Sequence, residues 1–175
     1  MKALITGASS GIGREMAKYL AKKNIDLILV ARRKEKLLEL KEEINTNVEV
    51  IVADLSNAKN AYELYEKCKD KNVDILINNA GFGLFGNFYE TNLDKELEMI
   101  QVNVITPHIL TKLFLKDFIK KDNGYILNVC SSAGFMAGPK LNTYYATKNY
   151  LLKLSMAINE ELRQDKKNIQ VSCLC

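Results

Sequence analysis

MKALITGASSGIG, residues 1–13, places a short apolar run directly before a glycine-rich turn. Lys2–Thr6 predicts a buried strand, because β-branched and apolar residues there meet turn residues at once. After Gly13, apolar residues recur at helical spacing. The free N–H groups at such a helix start, and the positive end of its dipole, attract an anion. The stretch therefore predicts a phosphate-binding turn between a strand and a helix.

The spacing of three glycines narrows the kind of turn. Gly7, Gly11 and Gly13 give G-x-x-x-G-x-G, which differs from the common dinucleotide motif G-x-G-x-x-G and from the Walker loop. The same letters contain G-x-S-x-G, the nucleophile elbow of α/β-hydrolases. A hydrolase is the weaker alternative, because no earlier strands or oxyanion-hole segment precede the strand at 2–6 and His108 is the only histidine. The plainer alternative is a glycine turn that binds nothing.

Composition and charge exclude several classes of protein. Of the 175 residues, 47% are hydrophobic and 26% charged, which is ordinary for a globular chain. The net charge of +4 is spread out, so we expect no nucleic-acid partner. We expect no signal peptide and no membrane partner, hence a cytoplasmic protein. The four cysteines form no C-x-x-C pair, so we expect reduced thiols and no metal site.

Apolar runs alternate with helical patterns along the whole chain. Strands are predicted at 2–6, 25–30, 48–53, 73–77, 124–130 and 168–174, and helices at 12–23, 34–45, 60–71, 94–121 (two segments) and 144–164. Such alternation predicts one α/β domain over residues 1–175, a doubly wound parallel sheet (Rossmann fold) with strand order 3-2-1-4-5-6. Ligands of this fold bind at the carboxyl ends of the strands.

Residues at these strand ends indicate the ligand. Arg32 and Arg33 end the second strand, where an NAD site usually places an acidic residue against the ribose 2′-hydroxyl. Guanidinium groups suit a 2′-phosphate instead, so we predict NADP, with NADPH preferred over NADH. The alternative is a solvated helix start. Asp54 ends the third strand and could accept the adenine amino group, cap the next helix, or do both.

A tyrosine and a lysine four residues apart form the candidate catalytic pair. Tyr-x-x-x-Lys occurs three times, starting at Tyr19, Tyr65 and Tyr144. Only the third pair follows a strand end and a glycine-bearing loop, so only Tyr144 and Lys148 can face the strand ends. A nearby ammonium stabilises a phenolate and makes the phenol a usable base near neutral pH. Ser131 could hold a substrate oxygen beside this tyrosine, whereas Tyr145 points elsewhere and packs.

With these motifs together, the chain resembles the short-chain dehydrogenase/reductase family over its whole length. Residues 6–13 resemble the family's cofactor motif, residues 78–81 its structural motif, and Asn103, Ser131, Tyr144 and Lys148 its catalytic tetrad. The resemblance implies hydride transfer between nicotinamide and a carbonyl or alcohol carbon. Tyr144 would be the general acid/base and Ser131 would position the substrate. Lys148 would bind the ribose and tune the tyrosine, and Asn103 would support a water relay.

The predicted cofactor site combines these positions with their neighbours in sequence. Its residues are Gly7, Ser9, Ser10, Gly11, Ile12, Gly13, Arg32, Arg33, Asp54, Leu55, Asn79, Ala80, Gly81, Tyr144 and Lys148. The apolar loop at 81–86 is interpreted as a wall of the substrate pocket, or as ordinary loop packing.

The resemblance also carries expectations about size and assembly. The family implies a homodimer or homotetramer formed by the helices in 94–121 and 144–164, and a seventh strand that these residues do not contain. We therefore expect a C-terminally short chain with weak or absent turnover. The alternatives are an inactive fragment of a longer reductase and a non-catalytic nucleotide-binding module. A Rossmann-like methyltransferase is disfavoured by Arg32 and Arg33. The substrate's identity is not predicted.

Overall fold

A computed structural model describes all residues 1–175 as six parallel strands flanked by helices. The strands are β1 Lys2–Thr6, β2 Asp26–Ala31, β3 Val48–Val52, β4 Ile75–Asn78, β5 Gly124–Val129 and β6 Ile169–Leu174. The α-helices are α1 Gly11–Ala21, α2 Lys34–Glu43, α3 Ala58–Cys68, α4 Leu93–Ile100, α5 Thr106–Lys121 and α6 Asn142–Gln164. The sheet order is β3-β2-β1-β4-β5-β6, so the predicted Rossmann topology is confirmed.

Strand β2 shows why the sheet is covered on both faces. Successive side chains of a strand point to opposite faces. Ile28 and Val30 lie in the core that α3 and α5 cover, whereas Leu27 and Leu29 lie in the core beneath α1 and α2. All four side chains are at most 1% exposed. A continuous apolar run is what a strand buried on both sides requires.

Predicted and observed elements differ mainly between α4 and α5. Strand ends agree within two residues and the ends of the other helices within three. Between α4 and α5 the chain forms a π-helical segment, Gln101–Ile105, in which the Thr106 N–H donates to the Gln101 carbonyl, five residues back. Pro107 has no N–H, so the Asn103 carbonyl cannot receive the usual i+4 hydrogen bond. The α-helical register therefore shifts just where Asn103 lies.

A chain of hydrogen-bonded, buried polar side chains runs from α5 over β4 and β5 to α6, close to the carboxyl ends of the strands. The Asn78 amide donates to Thr111 Oγ1 at 3.1 Å and to Asn128 Oδ1 at 2.8 Å. The Asn128 amide donates in turn to Ser155 Oγ at 2.7 Å. This polar chain links α5, β4, β5 and α6, and each of its four side chains is at most 4% exposed.

A phenol–carboxylate contact between α3 and α5 predicts part of the alkaline stability profile. Tyr65 Oη donates to Asp117 Oδ2 at 2.6 Å, and this hydrogen bond, with burial, raises the pKa of Tyr65 to about 12. An unfolded tyrosine loses its proton near pH ~10. Between these two values the native state holds a proton that the unfolded state has released, so the contribution to stability is complete below pH ~10 and is lost as pH rises through about 12.

We therefore expect Tyr65→Phe to flatten the decline of stability with alkaline pH. Between pH 9 and 11.5, wild type should lose up to about 2 kcal/mol more unfolding free energy than Tyr65→Phe, since partial exposure screens the effect. Urea unfolding at both pH values measures this loss. Tyr62→Phe, on the exposed face of the same helix, is the control and should follow wild type. Equal slopes for wild type and Tyr65→Phe would contradict the assignment.

Candidate functional site

One cleft of about 800 Å³ opens at the carboxyl ends of the parallel strands. It is lined by the turn after β1, by the ends of β2 to β5 and by the first turns of α6. Fourteen of the predicted site residues line it: Gly7, Ser9, Ser10, Gly11, Ile12, Arg32, Arg33, Asp54, Leu55, Asn79, Ala80, Gly81, Tyr144 and Lys148. Gly13, Asn103 and Ser131 lie outside the lining. Phe82 and Gly83 of the apolar loop also form part of the wall.

The glycine turn delivers the start of α1 to this cleft. Gly7 and Gly11 have φ angles of +67° and +56°, in the left-handed region that side chains rarely adopt. No atom lies within 4 Å of the position that a Cβ of Gly11 would take, so the turn is open on that side. Gly13 is buried instead, and its Cβ would lie 2.3 Å from the Asn79 amide nitrogen. The missing side chain of Gly13 therefore allows α1 to pack closely against Asn79, and Gly13 is not part of the cleft surface.

Asn79 fastens the end of β4 to this turn. Its side-chain amide donates to the carbonyls of Thr6 at 3.0 Å and Gly7 at 3.1 Å. In return, Thr6 Oγ1 accepts the backbone N–H groups of Asn79 and Ala80, at 3.0 and 3.1 Å. The amide hydrogens of Asn79 are thus used within the protein. Thr6 belongs to the glycine motif but was not predicted as a site residue, because a threonine at a strand end gives no signal of what its hydroxyl will accept.

The two arginines after β2 have different partners. Arg33 Nη2 donates to Ser10 Oγ at 2.7 Å and to Ser9 Oγ at 3.0 Å, which places its guanidinium against the glycine turn. Arg32 also lines the cleft, but it is mostly exposed and its nearest charged partner is Glu98 on α4, at 3.7 Å. Ser9, the nucleophile of the hydrolase alternative, is only 8% exposed, and His108 lies on α5 beside Tyr150. No serine–histidine pair forms, so the hydrolase alternative is wrong.

Asp54 lies exposed at the end of β3 and lines the cleft. Its Oδ1 accepts the Ser56 N–H at 3.1 Å, which shapes the loop after the strand. The suggestion that Asp54 caps the next helix is wrong, because Asn57 caps α3 and accepts the Lys59 N–H at 2.9 Å. Asn57 is nearer the helix and offers the same oxygen acceptor. Asparagine is one of the residues generally preferred at a helix N-cap.

Tyr144 and Lys148 lie one helical turn apart at the start of α6. Lys148 is 5% exposed, and its Nζ donates to the Val129 carbonyl at 2.9 Å and lies 5.8 Å from the centre of the Tyr144 ring. Burial lowers the pKa of the Lys148 ammonium. Tyr145 packs against Gly138, as predicted, since a Cβ there would lie 2.4 Å from the tyrosine ring. The cleft therefore contains one phenol beside one buried amine.

Asn103 holds the loop that forms the cleft wall. Its amide donates to the Phe82 carbonyl at 2.9 Å and to Thr147 Oγ1 at 3.1 Å, and its Oδ1 accepts the Phe82 N–H at 3.1 Å. A Cβ at Gly81 would lie 2.9 Å from Asn103 Oδ1 and 3.4 Å from Lys148 Nζ. Asn103 thus packs directly behind Gly81 and Lys148. Thr147 lies within the Tyr-x-x-x-Lys motif and ties α6 to Asn103, a role that its place in the sequence does not predict.

Ser131 follows β5 and begins the short 3₁₀ segment Ser132–Phe135. Its Oγ accepts the Ala133 N–H at 3.1 Å, and its hydroxyl hydrogen remains free to donate. Neighbouring Cys130 lines the cleft, and burial raises the pKa of its thiol to about 12, so this sulfur is a poor nucleophile. No three His, Cys, Asp or Glu side chains lie close enough together to hold a metal ion.

Comparisons with known proteins agree with this architecture. A family model described as "short chain dehydrogenase" matches residues 1–175. The hydroxysteroid dehydrogenase-like protein 1 of Gallus gallus is 36% identical over 166 residues, which cover 91% of this chain and 50% of that protein. This chain thus spans about half the length of that relative.

Two solved structures share the fold closely. The bulky-bulky ketone specific alcohol dehydrogenase from Comamonas testosteroni has a TM-score of 0.91 and 35% identity, covering 98% of this chain and 70% of that one. A short-chain dehydrogenase from Sphingobium yanoikuyae, solved in complex with NADPH, has a TM-score of 0.90 and 33% identity, covering 98% and 68% of the two chains. These likenesses extend across the sheet and the cleft described above.

Proposed function

Because the chain belongs to the short-chain dehydrogenase family, we propose that it is an NADP-dependent oxidoreductase. Its reaction would move hydride between the nicotinamide and a carbonyl or alcohol carbon of a small molecule. One observation carries this proposal: a single cleft is lined both by the glycine turn with Arg33 and by the Tyr144–Lys148 pair. A module that only bound nucleotide would need the first set of residues and not the second.

The residues at the β1 and β2 ends fit a phosphorylated nucleotide. Gly11 leaves open space where a side chain would stand, beside the first N–H groups of α1. The hydroxyls of Ser9 and Ser10 both lie within 3.0 Å of the Arg33 guanidinium, and the three groups together offer a cation and several donors. This set suits the charge and the acceptor oxygens of a 2′-phosphate. Asp54, also in the cleft, would accept the adenine amino group.

The remaining cleft residues would hold the sugar and transfer the proton. Lys148 would donate to the ribose hydroxyls, and its ammonium would stabilise the Tyr144 phenolate. Tyr144 would give a proton to the substrate oxygen during reduction and take one during oxidation. Ser131 would donate its free hydroxyl hydrogen to the same oxygen. The bound nicotinamide supplies or accepts the hydride.

Asn103 would support proton supply to Lys148 from behind the cleft. Its side chain is fully engaged with Phe82 and Thr147, so the backbone carbonyl is the group left for this role. Pro107 cannot donate the i+4 hydrogen bond to that carbonyl, which leaves it able to accept from a water. The π-helical segment at 101–105 therefore favours a water relay at this position.

The binding of NADPH and NADH tests the cofactor proposal. We expect Arg33→Ala to weaken NADPH binding roughly 10- to 100-fold, because each hydrogen bond to a charged phosphate contributes about 1.5–3 kcal/mol. NADH, which lacks the 2′-phosphate, should bind the variant and wild type within about threefold of each other. Calorimetric titration of both cofactors gives the two Kd values directly.

Lys34→Ala is the matched control, because Lys34 is an exposed cation at the same strand end and outside the cleft. It should leave the Kd for NADPH nearly unchanged. Equal weakening of both cofactors in Arg33→Ala would overturn the 2′-phosphate assignment. If NADPH failed to bind wild type at all, the cofactor proposal itself would be wrong.

Assembly and location stay predictions from sequence. The exposed faces of α5 and α6 carry Ile119, Tyr150 and Met156, which are compatible with the proposed homodimer or homotetramer. No helix of this chain combines the length and the hydropathy that a membrane crossing requires. The substrate is proposed only as a small carbonyl or alcohol compound, and a cytoplasmic location remains the expectation.

A further inference from the structure

A carboxylate on α4 forms an ion pair with one of the two arginines that follow β2. Arg32 Nη1 lies 3.7 Å from Glu98 Oε1, in the last turn of α4. The Glu98 side chain is 24% exposed and that of Arg32 is 66% exposed, so the acid is the more fixed partner. Val102, one turn further along the chain, lines the cleft. Glu98 therefore stands at the edge of the proposed adenosine site.

Glu98 also binds a second cation. Lys95 Nζ lies 2.7 Å from Glu98 Oε2, so one carboxylate is shared between Lys95 and Arg32. Arg33 is the cleft arginine that contacts no carboxylate, since its guanidinium donates to two serine hydroxyls. The strand end thus presents two guanidinium groups to the cleft, and only that of Arg32 lies near a carboxylate, which lowers its positive potential.

A negative charge at this place affects the two cofactors differently. A 2′-phosphate carries about −1.5 to −2 charges near pH 7, whereas a 2′-hydroxyl carries none. A carboxylate that pairs with the same arginine competes with the phosphate for the charge and the N–H donors of that guanidinium. It has no comparable effect on a ribose hydroxyl. The presence of Glu98 should therefore reduce the advantage of NADPH over NADH.

We propose that Glu98 is a specificity-determining residue that limits the preference for 2′-phosphorylated cofactors by pairing with Arg32. This inference rests on the proposed function, because it assumes that the cleft binds a nicotinamide dinucleotide. Glu98 acts on the cofactor through Arg32 and takes no part in proton transfer.

Calorimetric titration of Glu98→Gln with NADPH and NADH tests the inference. Glutamine keeps the size and removes the charge, so NADPH should bind about five- to tenfold more tightly and NADH within about twofold of wild type. In 1 M NaCl, where the Debye length is about 3 Å, the gain should nearly vanish. Glu63→Gln, which breaks a comparable ion pair with Lys59 on α3, is the control and should change neither Kd.

The double variant Arg32→Ala/Glu98→Gln tests the route of the effect. If Glu98 acts through Arg32, adding Glu98→Gln to Arg32→Ala should change the Kd for NADPH by less than about twofold. An unchanged NADPH-to-NADH ratio in Glu98→Gln would overturn the inference, and so would equal weakening of both cofactors, which would mark a structural role. Wild type that bound neither cofactor would overturn the proposed function and the inference together.

Discussion

Replacing Tyr144 with phenylalanine is expected to lower the kcat of this short chain, which we expect to be weak in wild type, by roughly 10²–10⁴-fold while leaving the Kd for NADPH nearly unchanged. The hydroxyl is the group proposed to exchange a proton with the substrate, and phenylalanine lacks it. The ring itself packs beside Gly83, where a Cβ would lie 3.3 Å from Tyr144 Cδ2. Phenylalanine keeps that packing, so the loss should fall on the chemical step and not on the fold.

The neighbouring tyrosine provides the matched control for this variant. Tyr145→Phe removes the same atom from the next residue, whose ring packs against Gly138 outside the cleft lining. It should retain wild-type kcat. Rates of NADPH oxidation with a panel of ketones give kcat, and calorimetry gives the Kd. A Tyr144→Phe variant that keeps more than about a tenth of the wild-type kcat would show that another group transfers the proton.

Gly13→Ala should have the largest effect on stability. The new Cβ would lie 2.3 Å from Asn79 Nδ2 and 2.7 Å from the Gly7 carbonyl oxygen. Asn79 would have to give up its hydrogen bonds to Thr6 and Gly7, which adds to the cost of overpacking. Alanine gains about 1 kcal/mol of helix propensity in return, so the net loss should be about 2–3 kcal/mol. Urea unfolding measures it.

Gly11→Ala separates this packing effect from backbone strain. Its Cβ would meet no atom within 4 Å, but φ is +56°, so the cost should be only about 1 kcal/mol. The same Cβ would enter the cleft, and binding of NADPH should weaken. A larger destabilisation from Gly11→Ala than from Gly13→Ala would contradict the assignment of Gly13 to packing.

The strand order and the place of the cleft could be predicted from the sequence because both depend on simple patterns. Continuous apolar runs such as Leu27–Ala31 mark strands buried on both faces, and right-handed crossovers then leave few arrangements. The predicted positions of the strand ends also distinguished the Tyr-x-x-x-Lys pair at Tyr144 from those at Tyr19 and Tyr65. Of the other two, Tyr65 is on α3, where its hydroxyl contacts Asp117, and Tyr19 is exposed on α1.

Details that depend on one hydrogen-bond partner could not be predicted. The shift to a π-helical register at 101–105 leaves the apolar pattern intact, so two ordinary helical segments fit the sequence equally well. Asp54 and Asn57 both carry cap-forming oxygens, and only the path of the loop decides which one faces the helix. Glu98 gave no signal, because an acidic residue on an amphipathic helix is usually solvated. Glu98 and Arg32 are far apart in the sequence, and only the fold brings them together.

The chain of buried polar side chains between α5 and α6 constrains which substitutions this protein can accept during evolution. Asn78, Asn128, Thr111 and Ser155 are buried and hydrogen-bonded to one another, and only the side-chain oxygen of Asn78 has no partner. Replacing one member by an apolar residue leaves its neighbour with an unpaired buried group, at a cost of about 1–3 kcal/mol. Replacing several members together removes donors and acceptors in pairs and costs far less. Substitutions at these four positions should therefore be correlated among related sequences, since a change at one position is tolerated best when its hydrogen-bond partner changes too.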